Sequence, residues 1–229
     1  MTMYSSRTDF VLPTARVTAH EAFAPVPRSI YASFGKRVLD LVLVIFAAPI
    51  WVPLIAILAV LVSLSGGQPF FRQQRLGQNG RVFTIWKLRS MVPGAEALLE
   101  AHLAAHPAKR AEWESNQKIS DDPRVTRFGA FLRVSCLDEL PQLWNVLNGD
   151  MSIVGPRPML PEQRELYAGR CYFALRPGIT GLWQISGGSR LPFSTRAEHD
   201  DRYGEGLSFL GDLSILLKTI TVVLRCTGR

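Results

Sequence analysis

From Leu41 to Leu64 the chain carries no charged residue, and no later stretch matches that run. Its length is enough for a helix that crosses a bilayer, which takes ~20 residues. Two features complicate a straight span. Pro49 and Pro53 lie inside the run, and each withdraws a backbone donor and crowds the carbonyl one turn earlier, which favours a bend. Both flanks are also basic: Arg28, Lys36 and Arg37 precede the run, and Arg72, Arg75, Arg81, Lys87 and Arg89 follow it. Basic flanks favour the cytoplasmic side of a membrane. A helix that bends and returns satisfies both flanks, whereas a straight span satisfies one. On these residues alone both forms stay open.

The pattern then shortens. Phe70–Arg75 and Arg81–Lys87 alternate around Asn79-Gly80 and predict a hairpin. Pro93 predicts the start of a helix reaching about His106, and Pro107 ends it and starts another. A helix over Phe128–Val134 is expected next. Ser135 then reads as the N-cap of a further helix, with Asp138 at its third position and Leu137, Leu140, Leu143, Trp144 and Leu147 as its buried face. Met151–Val154 predicts a short strand, followed by the rigid loop Gly155-Pro156-Arg157-Pro158. A helix around Glu162–Tyr167 and a turn into a strand after Arg176 come next. Leu213, Leu216, Leu217, Ile220, Val223 and Leu224 mark a final amphipathic helix, suited to core packing or to the headgroup region.

Composition narrows the class. A length of 229 residues suits one domain with attachments. Apolar residues reach 47%, and the mean hydropathy is +0.11. Residues 1–33 read as a loosely attached tail rich in Ser, Thr, Pro and Arg. They do not form a signal peptide, because the apolar run starts too late and is too long. Three cysteines without regular spacing argue against a disulfide framework. The net charge of +7 suits a phosphate-bearing partner. Nucleic acid is disfavoured, since no zinc-finger spacing, RNA-binding motif or dense basic run is present.

The candidate chemistry centres on Asp138-Glu139. Alone, Asp138 would be an ordinary helix cap and Glu139 a solvated first-turn acid. Together, two adjacent carboxylates can hold a divalent cation, or one can attack phosphorus while the other keeps the metal. Lys87, Arg89, Arg133, Arg157 and Arg176 lie beside turns or helix ends and are candidate phosphate clamps. Arg157 is bracketed by prolines, which lower the entropy lost in presenting it. His102 and His106 have a metal-binding spacing but lack the accompanying glutamate and a third ligand, so they read as a solvated helix face.

Several segments in fixed order resemble a known family. Lys36-Arg37-Val38-Leu39-Asp40 precedes the proline-interrupted apolar run. Lys87-Leu88-Arg89-Ser90-Met91, Leu137-Asp138-Glu139-Leu140-Pro141-Gln142, Gly149–Pro158 and Arg176–Gly181 follow. This resembles the bacterial sugar transferases, the monotopic polyprenyl-phosphate phosphoglycosyl transferases, and is most similar to the short branch that starts exopolysaccharide repeat units.

The resemblance implies an α+β, mainly helical fold. A re-entrant membrane helix over 34–65 would anchor a small catalytic domain over 66–229, with short strands and amphipathic interfacial helices, on the cytoplasmic face of a bacterial inner membrane. Lys36, Arg37 and Asp40 would mark where the chain enters the membrane, and Pro49 would make the helix re-entrant. Asp138 would be the nucleophile on a UDP-sugar, with UDP-glucose or UDP-galactose leading, and would expel UMP. Glu139 would hold Mg²⁺ with Asp138. Undecaprenyl phosphate would then accept the phosphosugar. Lys87, Arg133 and Arg157 match positions near the phosphates. A homodimer follows by analogy.

The chain departs from the family pattern at Ala48, where Ser often precedes the proline. Gly188 stands where Arg is frequent, with Arg190 two places on. Leu207 stands where an aromatic usually follows Asp200 and Tyr203. Two rival classes are a membrane-docked scaffold without activity, which predicts no UMP release, and a nucleic-acid binder, which predicts steep salt-dependent binding.

Overall fold

The computed structural model describes residues 29–64, 67–116, 119–188 and 191–224. Most of the tail, residues 1–28, and Arg190 lie outside the described residues. Residues 29–33, also read as tail, carry structure: a π-turn over Tyr31–Gly35 runs directly into helix α1, Lys36–Leu64. The chain stays helical through Pro49 and Pro53, so the expected break at Pro49 is not a gap in the helix. Beside it, the indole N–H of Trp51 donates to the Val44 carbonyl at 2.9 Å.

Strands β1, Phe70–Leu76, and β2, Val82–Leu88, form the expected antiparallel hairpin. Its loop is a 3₁₀ turn in which Asn79 and Gly80 take φ of +58° and +72°, the left-handed region these residue types tolerate best. Helices α2, Ala95–Ala105, and α3, Pro107–Asn116, meet at Pro107 as predicted. Helix α4, Arg127–Val134, is capped by Thr126, whose hydroxyl accepts from Gly129 N–H at 2.8 Å. At Gly129 any Cβ would come within 1.9 Å of the Ser90 carbonyl, so a glycine is what lets α4 lie against the segment after β2.

Helix α5, Gln142–Asn148, ends at Gly149 with φ +85°. Strand β3, Ser152–Val154, pairs in parallel with β4, Gly178–Thr180. The segment expected as a helix around Glu162 is a 3₁₀ stretch, Pro161–Leu166. Helices α6, Leu182–Ile185, α7, Arg196–Glu205, and α8, Phe209–Leu224, complete the fold. The result is mainly helical with a few short strands, as the sequence implied.

One stripe of α1 is buried towards both ends and half-buried between Val44 and Leu58, while its other faces stay apolar and exposed. Val44 packs with Phe83, Ile85, Val146 and Met151. Leu58 and Val62 pack with Leu88 and Leu132. On the far side Phe46 is 87% and Leu64 79% exposed. A monomeric soluble domain rarely leaves so much contiguous apolar surface open. Helix α8 behaves alike: Asp212 and Ile215 are buried, while Leu210, Leu217 and Ile220 are exposed.

Polar ties lock α1 to the rest. Asp212 is fully buried and accepts from Lys36 Nζ at 2.6 Å, Tyr31 Oη at 2.5 Å and Tyr203 Oη at 2.8 Å. Asp40 accepts from Ser152 Oγ at 3.0 Å and from Ile153 N–H at 2.9 Å. Arg37 donates to the carbonyls of Val146 and Leu147 at 2.6 and 2.9 Å, closing the C-terminus of α5 where a cation also meets the helix dipole. Lys36, Arg37 and Asp40 are thus held by protein groups of α8, α5 and β3.

Candidate active site

The Asp138-Glu139 pair sits where α4 stops and turns. Ser135 does not cap a following helix. Its hydroxyl donates back to the Phe131 carbonyl at 2.7 Å, and Ser135 forms the C-cap of α4. Cys136 then adopts φ +56°, a conformation that costs a non-glycine residue about 1–2 kcal/mol. That kink feeds a 3₁₀ turn, Leu137–Glu139, which carries both carboxylates ahead of α5. The pair therefore lies outside the first turn of an α-helix, and the sequence-expected capping box is absent. The helical phase moves with it. Trp144, expected to be buried, is 53% exposed, and α5 turns Asn145 and Val146 inward instead.

Asn145 explains that choice. Its Nδ2 donates to the Thr84 carbonyl at 2.7 Å, and its Oδ1 accepts from Trp86 N–H at 3.2 Å. One side-chain amide thus completes the free edge of β2 and fixes that strand against α5. Lys87, next along β2, is delivered to Glu139: Nζ to Oε1 is 2.6 Å. Arg157 approaches the same oxygen at 3.6 Å. Arg133, on α4, is oriented by its Nε donating to Ser90 Oγ at 2.8 Å.

These charges separate the two acids. Burial raises the Glu139 carboxyl, but Lys87 and then Arg157 overcome it and bring the group down to about 2. Asp138 goes the other way. Burial and the neighbouring Glu139 charge hold it above the ordinary carboxylate range, against the pull of Lys87, Arg133 and Arg157. Two like charges on adjacent buried residues diverge in this way. The donor set fits Mg²⁺, which usually takes one or two carboxylates and completes its shell with water and phosphate oxygens. Lys87 and Arg157 both approach Oε1 of Glu139, so Oε2 and the Asp138 carboxylate would be the donors to such an ion. No group of three metal-binding side chains occurs among the described residues, so His102 and His106, whose rings stack at 4.4 Å, are not a metal centre of that kind.

The Arg157 loop is held by residues the sequence reading did not single out. Prolines 156 and 158 have no N–H to give, so the loop is fixed through its carbonyls. Gly178 N–H donates to the Pro156 carbonyl at 2.7 Å. Arg196 donates to the Arg157 carbonyl, and Arg75 to the Pro158 carbonyl at 3.2 Å. Met159 N–H donates to Tyr172 Oη at 2.9 Å. Arg196 is 3% exposed, pairs with Asp200 at 3.4 Å, and lies 5.6–5.9 Å from the ring centroids of Tyr167, Tyr172, Trp183 and Phe193. The spacing of Arg196 and Asp200, one helical turn apart, was the one signal for it in the sequence. Arg75 is lowered to about 10 by burial and by Arg157, and stays charged at neutral pH.

Two expected clamps lie elsewhere. Arg89 lines a separate surface depression with Ser63, Gly67 and Gln68. Arg176 donates its Nε to the Gly149 carbonyl at 3.1 Å, beyond the end of α5. Opening off Glu139 and Arg157 is a cavity of about 330 Å³, walled by residues of α5, α6 and α8. Gly188, where the family often has Arg, lines it; Leu207, where an aromatic is usual, is buried in the core beside Tyr203.

A sequence profile described as bacterial sugar transferase matches residues 31–226. Over 197 residues the chain is 45% identical to a UDP-galactose-lipid carrier transferase of Erwinia amylovora, covering 85% of this chain and 41% of that protein. It is 43% identical over 197 residues to an undecaprenyl-phosphate galactose phosphotransferase of Salmonella typhimurium, with 85% and 41% covered. It is 42% identical over 198 residues to the exopolysaccharide production protein ExoY of Sinorhizobium fredii, covering 85% and 87%. The chain thus spans about two fifths of the length of the first two relatives and most of the third.

Proposed function

This chain belongs to the bacterial sugar transferase family, and from that premise we propose that it moves a hexose-1-phosphate from a UDP-sugar to undecaprenyl phosphate at the cytoplasmic face of the inner membrane. Relatives whose names specify a UDP-galactose donor and an undecaprenyl-phosphate acceptor support these partners; UDP-galactose and UDP-glucose are the leading donors. The observation that carries the mechanism is the convergence of Lys87 and Arg157 on Glu139, next to the buried carboxylate of Asp138.

In the first step Asp138 attacks the phosphorus that bears the sugar. An aspartyl O–P bond forms, the bridging P–O bond breaks, and UMP leaves with the electron pair. In the second step a phosphate oxygen of the acceptor attacks the same phosphorus, and Asp138 departs as free carboxylate. Lys87 and Arg157 hold Glu139 ionised and face the phosphates, while Arg133 offsets charge at Asp138. Bound Mg²⁺, held by Asp138 and Glu139, would neutralise the diphosphate charge that otherwise repels the nucleophile.

For the anchor the re-entrant form is favoured, because the first and last turns of α1 pack on the same body. Lys36 meets Asp212 at one end, and Val62 meets Leu88 and Leu132 at the other. The exposed faces of α1 and α8 would then sit in one leaflet. Cysteines placed before Lys36 and after Leu64 should label from the same side of sealed vesicles. Labelling from opposite sides would show a true span.

The decisive test uses intact-mass spectrometry after mixing with UDP-sugar alone. The wild type should gain a hexose-phosphate, and Asp138→Asn should gain none. An adduct retained in the variant would remove Asp138 from the nucleophile's role.

A further inference from the structure

We infer that the cavity beside Glu139 and Arg157 receives the phosphate-proximal isoprenyl units of the lipid acceptor, with the acceptor phosphate at its charged end. The inference rests on the acceptor reading above and adds where the apolar chain lies. Leu140 and Leu143 of the α5 side, Trp183 and Ile185 of α6, and Val222 and Val223 of α8 line the cavity together with Glu139 and Arg157. Mainly apolar walls that also carry Arg157 suit a ligand that is hydrocarbon at one end and phosphate at the other, with Lys87 and Arg157 offsetting the Glu139 charge. A volume of about 330 Å³ lies at the low end of the ~300–1,000 Å³ of small-ligand pockets. It can take the start of a long chain and not the whole.

Helix α8 supplies the route. Thr219, Val222 and Val223 face the cavity. On the opposite face, Leu217, Ile220 and Leu224 are 59%, 56% and 78% exposed. One helix therefore separates the proposed bilayer-facing surface from the catalytic carboxylates, with apolar side chains on both sides. A prenyl chain leaving the lipid around α8 stays in apolar surroundings until it reaches Arg157.

The same walls suit a nucleoside poorly. A uracil ring and a ribose need hydrogen-bond partners when buried. The lining hydroxyls are already engaged: Thr180 Oγ1 lies 2.7 Å from Thr219 Oγ1, which also donates to the Ile215 carbonyl at 2.7 Å, and Ser135 Oγ donates to the Phe131 carbonyl at 2.7 Å. Two polar atoms nearby, Trp183 Nε1 and Gln184 Oε1, have no partner but are themselves covered.

Ping-pong chemistry lets the two substrates be assayed apart. Val222→Trp would fill the cavity from α8, and Leu143→Phe would narrow it from α5. With UDP-sugar alone, both variants should form the covalent adduct at the wild-type rate, which also reports an intact fold. With undecaprenyl phosphate in detergent, the acceptor KM should rise about tenfold or more. A control, Ile220→Trp on the outer face of α8, should leave that KM unchanged. A raised KM for UDP-sugar or slowed adduct formation in a folded variant would assign the cavity to the donor, overturning the inference. An unchanged acceptor KM in both variants would overturn it too. If Val222→Trp does not fold, Leu143→Phe decides alone. Absence of an adduct in the wild type would instead fault the mechanism itself, so the two failures are distinguishable.

Discussion

Arg196 donates to the backbone carbonyl of Arg157, so a cation buried among aromatic rings holds in place the backbone of a cation that approaches Glu139. The planar guanidinium lets Arg196 serve this carbonyl and Asp200 together, which a lysine ammonium on a flexible stem does poorly. Arg196→Lys keeps the charge beside Asp200 and should lower kcat/KM for the UDP-sugar by up to about 10²-fold, the scale of a misplacement of about 1 Å. Thermal unfolding in detergent should change little. Equal losses of activity and of Tm would make Arg196 a packing residue only.

Asp200 adds a pH signature to stability. Burial, opposed by Arg196 and Tyr167, pushes its carboxyl up to about 6, against about 3.9 when unfolded. The folded state therefore binds this proton more tightly. Its contribution to stability is greatest below about pH 4, falls as pH rises towards 6, and stays at the lower level above. Asp200→Asn removes that slope. The stability difference between wild type and variant should drift by up to about 3 kcal/mol from pH 4 to 6 and then level off, which thermal scans across that range would measure.

Much of this site was legible in the sequence, and its limits have physical causes. Asp138-Glu139, Lys87, Arg133 and Arg157 could be singled out because each occupies a short, ordered motif. The hairpin and the helix ends at Pro107 and Gly149 followed from local turn chemistry. The start of the central helix is not legible in the sequence, because Cys136 adopts a left-handed conformation usually left to glycine, which no local pattern signals. A helix counted from Ser135 would bury Trp144, whereas the helix that forms starts at Gln142 and exposes it. Arg75 and Arg196 were passed over because their partners are backbone carbonyls distant in sequence. Arg89 and Arg176 resemble Lys87 and Arg157 in sequence, and only tertiary packing places the second pair at Glu139 and the first pair elsewhere.

The acid limb of the donor half-reaction should report Asp138. Its carboxyl must be ionised to attack, and burial with the Glu139 charge holds it above the usual range. Adduct formation should therefore fall on acidification at a pH higher than for an ordinary aspartate. Glu139→Gln removes the neighbouring anion and leaves Lys87, Arg133 and Arg157 acting on Asp138, so the limb should shift to lower pH. A shift to higher pH would contradict the assigned coupling.

Metal dependence should follow the same pair. Chelation should abolish turnover in the wild type, and Mg²⁺ should restore it. Glu139→Gln should need about tenfold or more additional Mg²⁺ for half-maximal activity, in the range for losing one ligand or its support. An unchanged Mg²⁺ titration would exclude Glu139 as a ligand.

At the opposite end, Lys36→Met would strip the cation from Asp212, which is fully buried. Breaking a buried pair on one side costs about 3–5 kcal/mol. Tyr31 and Tyr203 still donate to Asp212, so the lower value is expected. Thermal scans in detergent would measure it, and Lys36→Met combined with Asp212→Asn should recover part of the loss.

That knot has a practical consequence for handling the molecule. Helix α1 is no detachable tether. Trimming the chain to a soluble fragment would pull Tyr31 and Lys36 away from Asp212 and leave Leu88 and Leu132 without their neighbours. What remained would be a fragment with an opened interior, prone to aggregate. Chimeras between relatives should therefore swap the first helix and the last as a matched set.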